Sequence, residues 1–435
     1  MEVQGVERTE TASWSSWLAL LCRSLVGGAL IGLVGGSFRR LLSWLDVHRV
    51  HAVSTLGLRW WAAPLLAATV AMAALLARLT VRVVPDAAGS GIQLVEATWR
   101  SDAAPSRWSL VPAKYLGGLL GIGAGLALGR EGPTVHMGAV IGSEVARRSG
   151  ADDASVREAH VALGGAGLAV AFSAPLGGAL FALEEVAHAM SPRLLVASVV
   201  GSATAVAVAH PLLPSGPVFE VTAIPTAGGA SLVFALAFGA VVGVLGVGYN
   251  ALILGALDLA QRLDRWPPEV WALAVGAVVG LATWAWPTLT GGGDLLSQRV
   301  LLGGVGVVVV LGLLVGRILL GPLSYSAGTP GGLFAPLLVV GALLGTLVHE
   351  VLPGSGTVTG TTVAGMALIG MTALFAASVR APLTGVVLVV EMAATTSLII
   401  PMLVASAVAT VVAELCGGQP IYDALRARTR LPHPS

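Results

Sequence analysis

The sequence predicts an all-α polytopic membrane protein, and three observations carry that prediction. Of the 435 residues, 55% are hydrophobic and 11% charged, whereas a soluble domain carries roughly 25% charge; mean hydropathy is +0.86. The apolar residues come in long runs without strand-like alternation, so helices must close the backbone hydrogen bonds in lipid. The 57 glycines suit backbones that pack closely in a bilayer. A net charge of +1 with no basic block argues against a nucleic-acid partner. Cys22 and Cys416 offer neither a disulfide framework nor metal-ligand spacing. No metal or cofactor is expected.

Residues 1–15 form a polar N-terminal segment whose Glu2, Glu7 and Glu10 are unlike the basic start of a signal peptide. Apolar runs follow at Trp17–Phe38, Trp61–Ala77, Trp108–Leu128, Val135–Val145, Val161–Ala187 and Leu194–Leu213. A Pro/Gly-rich link, Pro211 to Gly229, leads to Ser231–Ala260, Val270–Trp286, Val300–Leu320, Leu333–Val351, Thr361–Ala377, Leu383–Ala394 and Ile399–Leu415. Several are shorter than the ~20 residues a spanning helix needs, and others are long enough for two helices. Short segments interrupted by Gly and Pro are the pattern of broken transporter helices. Arginines gather at Arg39-Arg40, at Arg147-Arg148 and at Arg426, Arg428 and Arg430. The last group, in a short basic tail at 426–435 with no soluble domain expected after it, predicts a cytoplasmic C-terminus.

The two halves, 16–218 and 219–425, repeat. Gly129-Arg-Glu-Gly-Pro133 aligns with Gly332-Leu-Phe-Ala-Pro336 at an offset of 203, each followed by small residues, Gly138 and Gly142 or Gly341 and Gly345. Ala174-Pro175-Leu176-Gly177-Gly178 aligns with Ala381-Pro382-Leu383-Thr384-Gly385 at an offset of 207. Both runs end in acid, Glu184-Glu185 and Glu391. Two broken-helix starts, one per half, can therefore converge on a midplane site. An odd number of crossings per half would invert the repeat.

Glu131 is central to that site. A carboxylate at membrane depth is disfavoured by about 2.5–3.5 kcal/mol and marks an ion or proton path. Pro133 suits a helix's first turn, while Gly129 and Gly132 let backbone come close. Free N–H groups and the positive helix end would then face an anion, with Glu131 an anion already tethered there. The competing interpretation is capping, with Glu131 paired to Arg130. Gly89-Ser90-Gly91-Ile92 is a second glycine-flanked turn, where Ser90 donates to an anion or is an ordinary N-cap. Thr329 to Pro336 carries no charge, so Leu333 and Phe334 contribute backbone amides or simply a loop and a core ring. Glu184 and Glu185, about 100° apart on a helix, cannot share one partner; one suits protons and the other structure, unless both are interfacial acids. Tyr422 is by position an interface anchor or a ligand.

Together these stretches resemble the CLC family of chloride channels and chloride/proton exchangers over roughly residues 17–430, with Gly89–Ile92, Gly129–Pro133, Gly332–Pro336 and Tyr422 in the family's order. The resemblance implies inverted repeats of tilted, partly broken helices, and a homodimer with one pore per subunit. It implies that Ser90 and Tyr422 offer hydroxyls, and Leu333 and Phe334 amides, to a central chloride. Glu131 becomes the external gating and proton glutamate and Glu185 the internal proton-transfer residue; an acid at Glu185 favours exchange over a passive channel. Gly129, Arg130, Gly132 and Pro133 support the gate. Two departures stand out: Gln93 where proline is common, and His136 in place of another polar residue. The expected protein is a multi-pass chloride/proton antiporter of the cell membrane, the inner or plasma membrane in a bacterium. Bromide or nitrate are further anions, with Ser90 favouring chloride over nitrate. Rival expectations are a voltage- or pH-gated passive channel, an intramembrane hydrolase using Ser173 with His160 or His188, and a cation/proton antiporter. The hydrolase motifs are absent, and Asp294, in a glycine loop, is the only aspartate between Pro267 and Leu415.

Overall fold

The computed structural model describes residues 14–57, 59–221, 229–263, 265–352 and 362–429. The expectations for residues 1–13 and for the end of the basic tail, including Arg430, lie outside them. The described residues form seventeen α-helices. In the first half these are α1 (Trp14–Leu56), α2 (Ala62–Val83), α3 (Ile92–Trp99), α4 (Leu110–Ala124), α5 (Glu131–Arg148), α6 (Asp153–Phe172), α7 (Pro175–Phe181) and α8 (Pro192–Ala209). The second half contains α9 (Gly229–Arg262), α10 (Pro268–Ala285), α11 (Asp294–Leu302), α12 (Val307–Ser326), α13 (Phe334–Val351), α14 (Val363–Val379), α15 (Pro382–Ala393), α16 (Ile399–Leu415) and α17 (Ile421–Arg428). Seven, namely α1, α2, α8, α9, α10, α12 and α13, are long and apolar enough to cross a membrane.

Three expected runs divide or extend differently. The first run grows to 43 residues, about 65 Å of helix, because Arg39 does not end it: its guanidinium turns inward to donate to the Val170 carbonyl and the Ser173 hydroxyl. Val161–Ala187 breaks after Phe172, where Ser173 turns left-handed at φ 54° and Pro175 keeps Ala174 out of the helical region, at φ −126° and ψ 80°. Val300–Leu320 breaks at the glycines between α11 and α12.

The repeat is visible in how helices touch. A Cβ on Gly28 or Gly32 of α1 would lie 2.7 or 2.6 Å from a carbonyl of α8, Gly201 or Ala205; on Gly239 or Gly243 of α9 it would meet Ala405 or Ala409 of α16 at 2.5 or 2.8 Å. Likewise α5 rests on α6 through Gly138 and Gly142, and α13 on α14 through Gly341 and Gly345, with carbonyls 2.1–2.4 Å from the point a Cβ would take. Small residues thus bring backbones together where lipid offers no hydrophobic reason to associate.

The copies run in opposite directions. Gly129 and Gly332, equivalent by the 203-residue offset, form an antiparallel bridge and exchange both backbone hydrogen bonds, at 2.8 and 2.7 Å. A segment pairs antiparallel with its own copy when a two-fold axis passes between them, perpendicular to the chain. The two copies are therefore related locally by a two-fold axis, as in the inverted repeat expected from the sequence, and α5 and α13 both begin beside that axis.

A second exchange ties the halves. Glu184 accepts from the Leu383 and Thr384 amides, at 3.1 and 2.6 Å, and from the Thr384 hydroxyl at 2.7 Å, capping α15. Glu391, 207 residues later, accepts from the Leu176 and Gly177 amides at 3.1 and 2.8 Å, capping α7. Each repeat thus supplies the anion that satisfies the other's exposed N–H groups.

Candidate functional site

The site is built where the repeat meets itself. Glu131 is the first residue of α5 and is fully buried. Its Oε2 accepts from the Ala335 amide in the first turn of α13 at 3.4 Å, while Oε1 has no hydrogen-bond partner. The carboxylate of one repeat therefore rests on the positive tip of the other repeat's helix. Gly129 makes room for it: a Cβ there would sit 1.9 Å from Oε2.

Ser90 lies in the turn ahead of α3, with Gly89 and Gly91 at φ 54° and 84°, a region only glycine enters freely. The turn is stitched to the loop before α13 by Gly89 N to Thr329 O, 3.2 Å, and Gly331 N to Gly89 O, 3.1 Å. Ser90 Oγ packs against Gly132, where a Cβ would come within 2.4 Å. Tyr422, in the first turn of α17, is fully buried and is no interface anchor. Its ring stacks on Phe334, centroids 5.9 Å apart, within an aromatic cluster that adds Phe375 at 4.7 Å, Phe181 at 5.5 Å and Phe172 at 6.4 Å. The Ser90 and Tyr422 hydroxyls are both buried and face each other without closing an ordinary hydrogen bond, and Tyr422 stands within electrostatic reach of Glu131 and Glu185. Two buried hydroxyls thus lie near the amide end of α13, where Leu333 and Phe334 are fully buried; hydroxyls and free helix-tip amides are the groups that can donate to a small anion.

Arg130 does not pair with Glu131. Its guanidinium forms an ion pair with Asp294 and donates to the Ala171 carbonyl at 3.1 Å. Asp294 is accordingly no loop residue; it opens α11. A narrow cleft beside Glu131 is lined by Asp46, Arg130, Asp294 and Ala335. Glu185 lies in a π-helical turn, Ala182–Ala187, and is buried with Glu96, Asp423 and Glu184 around it. The adjacent acids thus divide: Glu184 caps a helix, and Glu185 points into the interior.

Residue patterns missed Lys114 and the pairing of Asp294 with Arg130; the amide that meets Glu131 is that of Ala335, next to the expected Leu333 and Phe334. Lys114 is fully buried and donates to the Gly89 and Ser90 carbonyls, at 2.9 and 2.7 Å. The lone lysine inside the apolar run Trp108–Leu128 was the available signal. The hydrolase constellation is not assembled: Ser173 accepts from Arg39, and His160 pairs with Ser143 at 2.6 Å.

Residues 72–414 match the family model described as voltage gated chloride channel. The chain is 35% identical over 430 residues to the H(+)/Cl(-) exchange transporter ClcA of Salmonella paratyphi A, covering 95% of this chain and 89% of that one. It is 36% identical over 426 residues to ClcA of Salmonella arizonae, with the same coverages. Among solved structures, a slow cyanobacterial Cl−/H+ antiporter superposes with TM-score 0.86 at 29% identity, over 94% of this chain and 97% of that one. A CLC-type fluoride/proton antiporter shares the fold, with TM-score 0.74 at 19% identity over 93% and 97% of the two chains. With the inverted repeat, the shared helix-tip site and a family match over most of its length, the chain belongs to the CLC family of voltage-gated chloride channels and transporters.

Proposed function

We propose that this protein exchanges chloride for protons across the membrane. The observation that carries the reading is the Glu131 carboxylate seated on the amide tip of α13, where an anion of the same charge would sit. Carboxylate and chloride compete for one place. Protonation removes the carboxyl's charge and its claim on the helix tip, and chloride enters. By linkage, bound chloride favours the protonated carboxyl to the same extent.

Under this proposal the Ser90 and Tyr422 hydroxyls and the Leu333 and Phe334 amides hold the central chloride. Glu131 is the external gate and proton carrier. Glu185 receives protons from the other side, a role supported by its burial and by the assignment of the capping task to Glu184. The working unit is a homodimer in a cell membrane, the inner or plasma membrane in a bacterium, with residues 16–218 and 219–425 as its two repeats. Relatives named as H(+)/Cl(-) exchangers over nearly the whole chain support exchange.

The test is paired flux in vesicles holding purified protein. A chloride gradient should drive protons uphill, in the direction opposite to chloride. Chloride movement with no uphill proton movement would replace the exchanger by a passive channel.

A further inference from the structure

A proton bound for Glu185 must cross protein to reach it. The residue is 3% exposed, and its π-helical turn is pinned by Trp99, whose Nε1 donates to the Ala187 carbonyl at 3.0 Å. Three other acids act on Glu185 through space: Glu96, Asp423 and Glu184. The Tyr422 hydroxyl is within the same reach, but a phenol ionises only near about pH 10.

The three acids differ in what is left for them to do. Both Glu184 oxygens are taken, by the Leu383 and Thr384 amides and the Thr384 hydroxyl. Glu96, on α3, is 1% exposed and does not reach solvent. Asp423, in the first turn of α17, has a side chain 38% exposed. Of these acids it alone is open to water with no helix to cap.

Arg426 fixes where that carboxylate points. Its Nη2 donates to Asp423 Oδ1 at 2.7 Å, from one helical turn further on. Among the described residues no hydrogen bond takes Asp423 Oδ2, which is left to solvent. The same guanidinium stands 3.8 Å from Glu96 Oε2 and 3.8 Å from Asp102 Oδ2. Asp102 is more exposed still, but it is not one of the groups acting on Glu185, and Arg100 acts on Glu96. One cation on α17 thus gathers a buried acid and two solvent-facing ones, and only Asp423 of the solvent-facing pair is in reach of Glu185.

We propose that Asp423 is a proton-relay residue between solvent and Glu185, held in place by Arg426. In each transfer Asp423 takes a proton from bulk water. Its O–H bond then breaks as an O–H bond forms on the Glu185 carboxylate, directly or through a water, and Asp423 returns to the carboxylate. Arg426 stays protonated throughout. The inference rests on the reading that Glu185 carries the transported protons.

Paired chloride and proton flux in vesicles holding purified protein tests the relay, with chloride Kd read by titration calorimetry. D423N keeps the size and an oxygen for Arg426 but carries no proton. Its proton flux should fall about tenfold or more, while its chloride Kd stays within about twofold of the parent. D423E restores a carboxylate and should bring proton flux back to within about threefold of the parent. R426Q breaks the ion pair but keeps the acid, so it should lose less proton flux than D423N. D423S, which also lacks a carboxyl, should behave as D423N and serves in its place if asparagine is not folded. Parental proton flux without a carboxyl at 423, or a D423E loss equal to that of D423N, overturns the relay. A loss in R426Q as large as in D423N overturns it too, because the ion pair and not the acid would then matter. E185Q tells the two readings apart: proton transport persisting there overturns the role of Glu185 and the relay with it, whereas loss in E185Q beside parental D423N overturns the relay alone.

Discussion

Replacing Glu131 by alanine tests the competition at the helix tip most directly. The carboxylate is held by one backbone donor, the Ala335 amide, at 3.4 Å, and its other oxygen has no partner. A hydrogen bond to a charged group contributes about 1.5–3 kcal/mol, and a long one belongs at the low end of that range. At 1.4 kcal/mol per decade, removing the competitor should tighten chloride binding about tenfold wherever Glu131 is ionised. The sign with pH follows. In the parent protein, chloride affinity rises as pH falls, because protonation withdraws the competing charge. In Glu131→Ala the affinity is already high and should be flat across the same range. Titration calorimetry with chloride at several pH values reads both effects. Vesicle flux should show chloride still moving with no proton pumping. Unchanged affinity in the variant, a parental pH slope, or proton movement that persists against its gradient would refute the shared-place argument.

Other expectations follow from the same geometry. Glu185→Gln should leave chloride binding within about twofold while proton transport is lost; vesicle proton uptake measures it, and full coupling in this variant would remove Glu185 from the proton route. Glu184→Ala and Glu391→Ala each remove the carboxylate that accepts from two backbone N–H groups at a helix N-terminus. Each should cost about 1–2 kcal/mol, seen as a lower unfolding temperature in detergent, and similar losses in both would reflect the two-fold exchange. Asp294→Asn leaves the buried Arg130 guanidinium with a neutral partner; because Asp294 is partly exposed, a loss of about 2 kcal/mol is expected, again by thermal unfolding. In Gly332→Ala a Cβ would stand 2.8 Å from the Gly132 amide nitrogen, so the bridge between the repeats should open and folded yield should fall in size-exclusion chromatography.

The fold class was legible because membrane residence imposes a strong local rule. Every backbone group in lipid must bond within its own helix, which demands long apolar runs, and those runs can be read residue by residue. The places where helices begin near the midplane were legible for a related reason. Gly and Pro punctuate a chain wherever they stand, and the offsets of 203 and 207 showed the punctuation to be copied. Run lengths were less legible. Arg39 looked like an end to the first helix, yet it donates to Val170 and Ser173 from a distant part of the chain. A charge ends a membrane helix only when nothing inside will receive it.

By itself the sequence determined that the protein is a helical membrane protein, that it is built twice, and that an acid stands at a Gly/Pro-flanked helix start in the first copy while the second copy has bare amides. Only the tertiary structure decided who meets whom. It paired Arg130 with Asp294 rather than with its neighbour Glu131, gave Glu184 to the opposite repeat and left Glu185 facing inward, and brought Lys114 to the Ser90 turn. The physical reason is range. Propensity, hydropathy and punctuation act within a few residues, whereas an ion pair or cap joins whichever groups packing brings within about 3 Å, as Glu391 meets the Leu176 amide 215 positions away.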